Sequence, residues 1–90
     1  MMKQAHVYYS GRVHGVGFRF TARNIAAELG VKGWVRNISG GRVEILAEAE
    51  ERTLEEFLQR ISREFSYYIQ DSDIEWQPAG GNFKDFTVSF

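Results

Sequence analysis

The stretch AHVYYSGRVHGVGFRFTARNIAAELG, Ala5 to Gly30, changes its hydrophobic period across a glycine loop. Before the loop, Ala5, Val7, Tyr9 and Val13 fall on one face, the alternation of a half-buried strand, with Gly11 between them. After it, Phe18, Ala22, Ile25 and Leu29 recur at helical spacing from about Phe18 to Leu29, and Gly30 supplies a stop. A strand, a tight loop and a helix therefore open the chain.

Further along, Lys32 to Ile38 reads as a second strand. The turn Ser39-Gly40-Gly41 leads into a third, Arg42 to Glu48, where Val43, Ile45 and Ala47 alternate with Arg42, Glu44 and Glu48. A second helix begins between Glu50 and Thr53 and runs to about Phe65 on the stripe Leu54, Phe57, Leu58, Ile61, Phe65. Thr53 with Glu56 predicts a capping box. A fourth strand falls within Tyr67 to Trp76, a turn within Gln77 to Gly81, and a last strand over Lys84 to Phe90. The order β-α-β-β-α-β plus a terminal strand predicts an α+β fold: a ferredoxin-like α/β sandwich, an antiparallel-type sheet of about five strands with two helices on one face. That fold hosts many functions and decides none.

A chain of 90 residues predicts one domain, 1–90, without linker or repeat. The hydrophobic share of 43% marks a globular composition. With no cysteine, disulfides, a thiolate nucleophile and Cys-based metal sites are excluded. Met1 to Val7 has no signal-like apolar run, and no segment approaches the roughly 18 apolar residues of a membrane span. The expectation is a soluble cytoplasmic protein with no membrane partner. Charge is uneven: seven basic residues and one acidic through Arg42, then four basic and eleven acidic. Either the halves interleave and the charges mix, or the first half builds a local anion site.

The chemistry concentrates in Gly11-Arg12-Val13-His14-Gly15-Val16-Gly17-Phe18-Arg19. Gly15 and Gly17 permit backbone that a side chain would forbid, so successive N–H groups can form an anion nest at a helix start. Arg19 in the first helical turn is unfavourable by about 0.3–1 kcal/mol against the helix dipole, and an anion in the loop reverses that sign. Its guanidinium can grip two phosphate oxygens at once. A plain glycine turn with an exposed arginine fits the same residues. No Walker or dinucleotide pattern is present. The spacing from Val13 to Arg19 equals that of the Cys-x5-Arg phosphatase loop, but Val13 cannot act as a nucleophile. A second stretch, Gly33-Trp34-Val35-Arg36-Asn37-Ile38-Ser39-Gly40-Gly41-Arg42-Val43, places Asn37 near the end of an apolar strand. Its amide can orient a water by donating and accepting, or can simply begin a turn.

Together the two stretches resemble the signatures of the acylphosphatase family, over nearly the whole chain. The first resembles G-R-V-Q-G-V-x-F-R, with His14 where Gln is most familiar. The second resembles G-W-V-x-N, a short turn and G-x-V, with Ala49 where Gly is usual six residues after Val43. The resemblance implies hydrolysis of acyl phosphates to a carboxylate and phosphate. It implies that Arg19 binds phosphate and that Asn37 positions the attacking water. It also implies that His14, Gly15, Val16, Gly17, Phe18 and Arg19 offer backbone N–H groups to the phosphoryl oxygens. Expected with it are no metal or cofactor, phosphate or sulfate in the loop, a small-molecule acyl phosphate as substrate, and a monomer. The leaving carboxylate has a conjugate-acid pKa of roughly 4 and needs no general acid. Water can pass its proton to the substrate's own phosphoryl oxygen, since a neutral amide is no base.

Other residues carry less. His6 in the first strand reads as structural, Ser10 and Ser39 lack a base partner in sequence, and a direct catalytic part for His14 is not expected. Trp34, Trp76 and the Phe and Tyr residues read as core, and Glu48, Glu50, Glu51, Glu55 and Glu56 as a solvated helix start without His to make a metal site. Two rivals differ in class. One is an anion-binding or regulatory module without turnover. The other is an RNA-binding domain of similar topology, disfavoured because Arg42 to Glu48 carries two acids and no aromatic, so no nucleic acid is expected.

Overall fold

A computed structural model describes residues Met1–Phe90. Its elements are β1 (Met2–Gly11), α1 (Phe18–Leu29), β2 (Lys32–Ile38), a 3-10 turn (Ser39–Gly41), β3 (Arg42–Glu50), α2 (Glu51–Glu64), β4 (Ile69–Pro78) and β5 (Phe86–Ser89). The sheet order is β4-β1-β3-β2-β5. β1 pairs antiparallel with β3 and β4, as does β2 with β3, but β5 runs parallel to β2. The sheet is thus mixed, with antiparallel pairs dominant and one parallel edge. Residues 79–85 must carry the chain from one sheet edge to the other, which sets the direction of β5. Both helices cover one face, the ferredoxin-like α+β arrangement.

Alternation along the strands builds the core. Ala5, Val7, Tyr9, Val35, Val43, Ile45 and Ala47 are buried beneath Ala22 and Ile25 of α1 and Leu54, Phe57 and Ile61 of α2. Aromatic contacts lock the head of α1 beside the end of β1. Tyr9 and Phe18 have ring centroids 5.2 Å apart, and Phe18 and Phe65 4.5 Å. Full burial of a side chain such as Phe18 contributes about 1.5–3 kcal/mol, so the loop between β1 and α1 is anchored at its helical end.

Several expectations change. Val13 lies outside β1, which ends at Gly11 after a bulge at Ser10/Gly11, yet Val13 is buried. It reaches the core from the loop. The capping box does not form: α2 starts at Glu51, before Thr53, with Glu50 as cap and no side-chain cap bond. β3 runs directly into the helix there, leaving no room for Thr53 outside it. Pro78 ends β4 opposite Lys3 instead of lying in a turn, which an edge strand tolerates because proline needs no ladder donor there. Trp76 is 45% exposed, for β4 lies outside the cover of the helices. Ala49 is a buried residue of β3, and no residue other than glycine has positive φ, so alanine is unstrained at that position.

Glu48 departs from the solvated reading, and Glu44 on the same face of β3 is buried as well. Glu44 and Glu48 are only 5% and 2% exposed. Glu48 accepts from Gln4 Nε2 at 2.8 Å and from the N–H groups of Gly80 and Gly81 at 2.9 and 3.1 Å. Glu44 accepts from Arg36 Nε at 2.8 Å and lies 2.6 Å from His6 Nε2. Central-strand positions hemmed by β1, β2 and the 79–85 crossing leave these carboxylates little water, and donors replace it.

Candidate active site

The loop leaves β1 under control of one backbone bond, Arg12 N–H to the Tyr68 carbonyl at 2.8 Å. Gly15 and Gly17 then take φ of 74° and 77°, the left-handed region that glycine enters without strain. Gly17 is the α1 N-cap, offers no capping side chain, and is followed by a first turn without acids. The first helical bond runs from Thr21 N–H to the Gly17 carbonyl at 3.0 Å. From Val13 to Phe20, therefore, no backbone N–H has a backbone acceptor. These groups stand at the positive end of the α1 dipole.

Strand register brings the second stretch to the same end of the sheet. Tyr9 pairs with Val43, and Val43 with Asn37, making one row across β1, β3 and β2. Adjacent strands lie about 4.8 Å apart, so Asn37 stands roughly 10 Å across the sheet from the strand that feeds the loop. Asn37 shares strand parity with the buried Gly33 and Val35, which puts it on the helix-covered face, and it is itself part-exposed.

Arg19 approaches this row from α1. Its guanidinium carbon lies 4.8 Å from the centroid of the Phe90 ring. Phe90 follows Ser89, whose strand partner is Arg36, the neighbour of Asn37. An aromatic at the end of β5 thus draws the arginine toward the strand end that carries Asn37. Sequence reasoning missed this contact, because a terminal phenylalanine carries no signal of whose cation it meets. It also missed His14 Nε2, which lies 2.7 Å from the Arg42 carbonyl oxygen.

No cavity encloses these groups. The larger concavities, about 420 and 330 Å³, lie between the outer faces of α1 and α2 and beside the C-terminal end of α1. Arg19 and Asn37 line neither, nor either smaller cavity. The loop amides and the Arg19 guanidinium lie outside all four concavities, an arrangement that can receive a small anion carried on a larger group. No cluster of three His, Cys, Asp or Glu side chains is placed to hold a metal ion. No helix is long and apolar enough to cross a membrane.

A ferredoxin-like sandwich with a cationic, acid-free glycine loop at the head of its first helix defines a class of small α+β proteins equipped for anions. Residues 5–88 match the Acylphosphatase family. An acylphosphatase of Roseiflexus sp. (strain RS-1) is 40% identical over 88 residues, covering 97% of this chain and 95% of that protein. The crystal structure of acylphosphatase from Bacillus subtilis superposes with a TM-score of 0.90 at 33% identity, covering 100% of both chains. HypF of T. kodakarensis matches 98% of this chain with a TM-score of 0.83 at 27% identity, but the match spans only 12% of HypF. The chain belongs to the acylphosphatase family and is an enzyme of that kind, a hydrolase of acyl phosphates.

Proposed function

We propose that the loop grips the phosphoryl group of an acyl phosphate and that a water held by Asn37 attacks phosphorus directly. The N–H groups of His14, Gly15, Val16, Gly17, Phe18 and Arg19 receive the phosphoryl oxygens, and the Arg19 guanidinium binds two of them as a fork. The observation that carries this reading is the unbroken run of N–H groups from Val13 to Phe20 without a backbone acceptor, at an acid-free helix head. Donors fixed in place act on the charge of the transferring phosphoryl group without reorganising, which is the main device of phosphoryl transfer. Asn37 holds the water through its amide and takes no proton. That proton passes to a phosphoryl oxygen, and the carboxylate departs unprotonated with the electrons of the cleaved P–O bond.

Val13 supports direct attack by water, since an aliphatic side chain buried in the core offers no nucleophile. The 90 residues act as one acylphosphatase-like domain. The enzyme works as a cytoplasmic monomer, without metal or cofactor and without nucleic acid as partner. The absence of cysteine suits that reducing compartment. The decisive assay is benzoyl phosphate hydrolysis by wild type beside Arg19→Lys. Wild type releases benzoate and phosphate, and the lysine variant loses activity on the order of 100-fold, because an ammonium cannot replace the planar fork. A folded wild type that binds phosphate without turnover would instead be an anion-binding module.

A further inference from the structure

We infer that His14 is a positioning residue, whose Nε2–H ties the phosphate loop to the first residue of β3 and so fixes the loop relative to Asn37. The inference rests on the loop being the phosphate site proposed above.

The tie is chemically defined. His14 Nε2 lies 2.7 Å from the Arg42 carbonyl oxygen. A carbonyl only accepts, so the ring must donate, as the Nε2–H tautomer or as imidazolium. Its position in the chain matters as much. The loop's backbone bonds lie at its ends, Arg12 N–H to Tyr68 and Thr21 N–H to Gly17. Between them stand two left-handed glycines and no further backbone bond. The buried Val13 side chain anchors the start of this span, and the His14 bond is the polar restraint beside it.

Arg42 is a purposeful acceptor. It pairs with Ile38, the residue after Asn37, and its guanidinium lies 5.6 Å from the Tyr8 ring centroid. β1 and β2 are not neighbours, because β3 lies between them. A bond from the loop after β1 to the head of β3 therefore links the phosphate-binding half of the site to the strand pair that presents Asn37. Loosening it disperses the loop amides and changes where phosphorus sits relative to the held water.

Three variants separate donor reach from bulk. Glutamine places its Nε2 the same number of bonds from Cα as the histidine Nε2, whereas the asparagine Nδ2 is one bond short. The measurements are phosphate affinity by titration, kcat with benzoyl phosphate, and NMR backbone order parameters of the Gly15, Val16 and Gly17 amides with no anion present. His14→Gln, which keeps a donor at the same reach, should stay nearer wild type than His14→Asn in all three. His14→Ala and His14→Asn should weaken phosphate about fivefold, the size of one net hydrogen bond, lower the order parameters of the three amides and lower kcat. If His14→Asn matches His14→Gln, or His14→Ala keeps wild-type affinity and order parameters, the tie is overturned. Should alanine prevent folding, the glutamine–asparagine pair still decides. Failure of wild type to bind phosphate in the loop would remove the proposed function, while the anion-free order-parameter comparison would still judge the tie.

Discussion

At the scale of single residues, the site sets stability against function. Arg19 is held at the wrong end of a helix dipole, at about 0.3–1 kcal/mol, while its contact with Phe90 returns about 0.5–1 kcal/mol at an exposed position. The two nearly cancel. Arg19→Gln should change stability by less than about 1 kcal/mol in phosphate-free buffer yet abolish most turnover, as thermal melts beside an activity assay would reveal. A large loss of stability would mean that the arginine serves the fold. Asn37→Ala should retain phosphate competition and lose about 100-fold in kcat, because a misplaced water is as costly as a lost group. If KM alone rose, water positioning would be the wrong role. Gly17→Ala forces an L residue to φ near 77° and should cost about 1–2 kcal/mol. No atom lies within 4 Å of the added Cβ, so the cost is conformational, not a clash. Arg19, Asn37 and the loop glycines were singled out in the sequence by their spacing and by the family resemblance, though a plain glycine turn and a turn-forming asparagine fitted the same residues. Phe90 and Arg42 as their neighbours were not, because those contacts join residues far apart in the chain.

At the scale of elements, β3 and β4 show how position in the sheet overrides composition. Both carry acids, but Glu44 and Glu48 of β3 are buried at the centre and those of β4 lie on an exposed edge. Burial raises the Glu48 carboxyl pKa, but the Gly80 N–H, the Gln4 amide and the Gly81 N–H outweigh it and hold it below the ordinary value of 4.5. A folded-state pKa below the unfolded one gives stability that is full above the unfolded value and is lost as pH falls through the folded one. Glu48→Gln should therefore lower the melting temperature at pH 7, by about 4–8 °C per kcal/mol removed, and flatten the acid side of the stability profile below pH 4.5. An unchanged acid limb would show that Glu48 does not supply this pH dependence. Core and edge aromatics should differ as well. Phe57→Ala should cost about 3–5 kcal/mol by denaturant unfolding, and half-exposed Trp76→Ala clearly less. The sequence marked both side chains as core, since alternation records which face a residue takes but not whether a helix reaches over that strand.

At the scale of the whole molecule, the uneven charge of the two halves is largely folded together. Acidic β3 lies between β1 and β2 from the basic half, and Glu44 meets His6 and Arg36 there. With no donor cluster for a metal, EDTA should leave benzoyl phosphate turnover unchanged, and restoration of lost activity by a divalent cation would contradict the site as drawn. The sequence by itself determined the order of elements, the sandwich class, the glycine loop and the two signatures of the family. These are written in local periodicity, backbone permissiveness and spacing, which act over a few residues. Tertiary structure alone decided that β5 joins parallel to β2, that Glu44 and Glu48 are buried, and that the glycine loop, Arg19 and Asn37 come to one end of the sheet. Each of these depends on which strands become neighbours, and that is fixed when distant segments bury their apolar faces together. From their own residues the loop and Arg19 fitted a phosphate grip or a plain glycine turn, and the contacts of His14 with Arg42 and of Arg19 with Phe90 exist only after the sheet has closed.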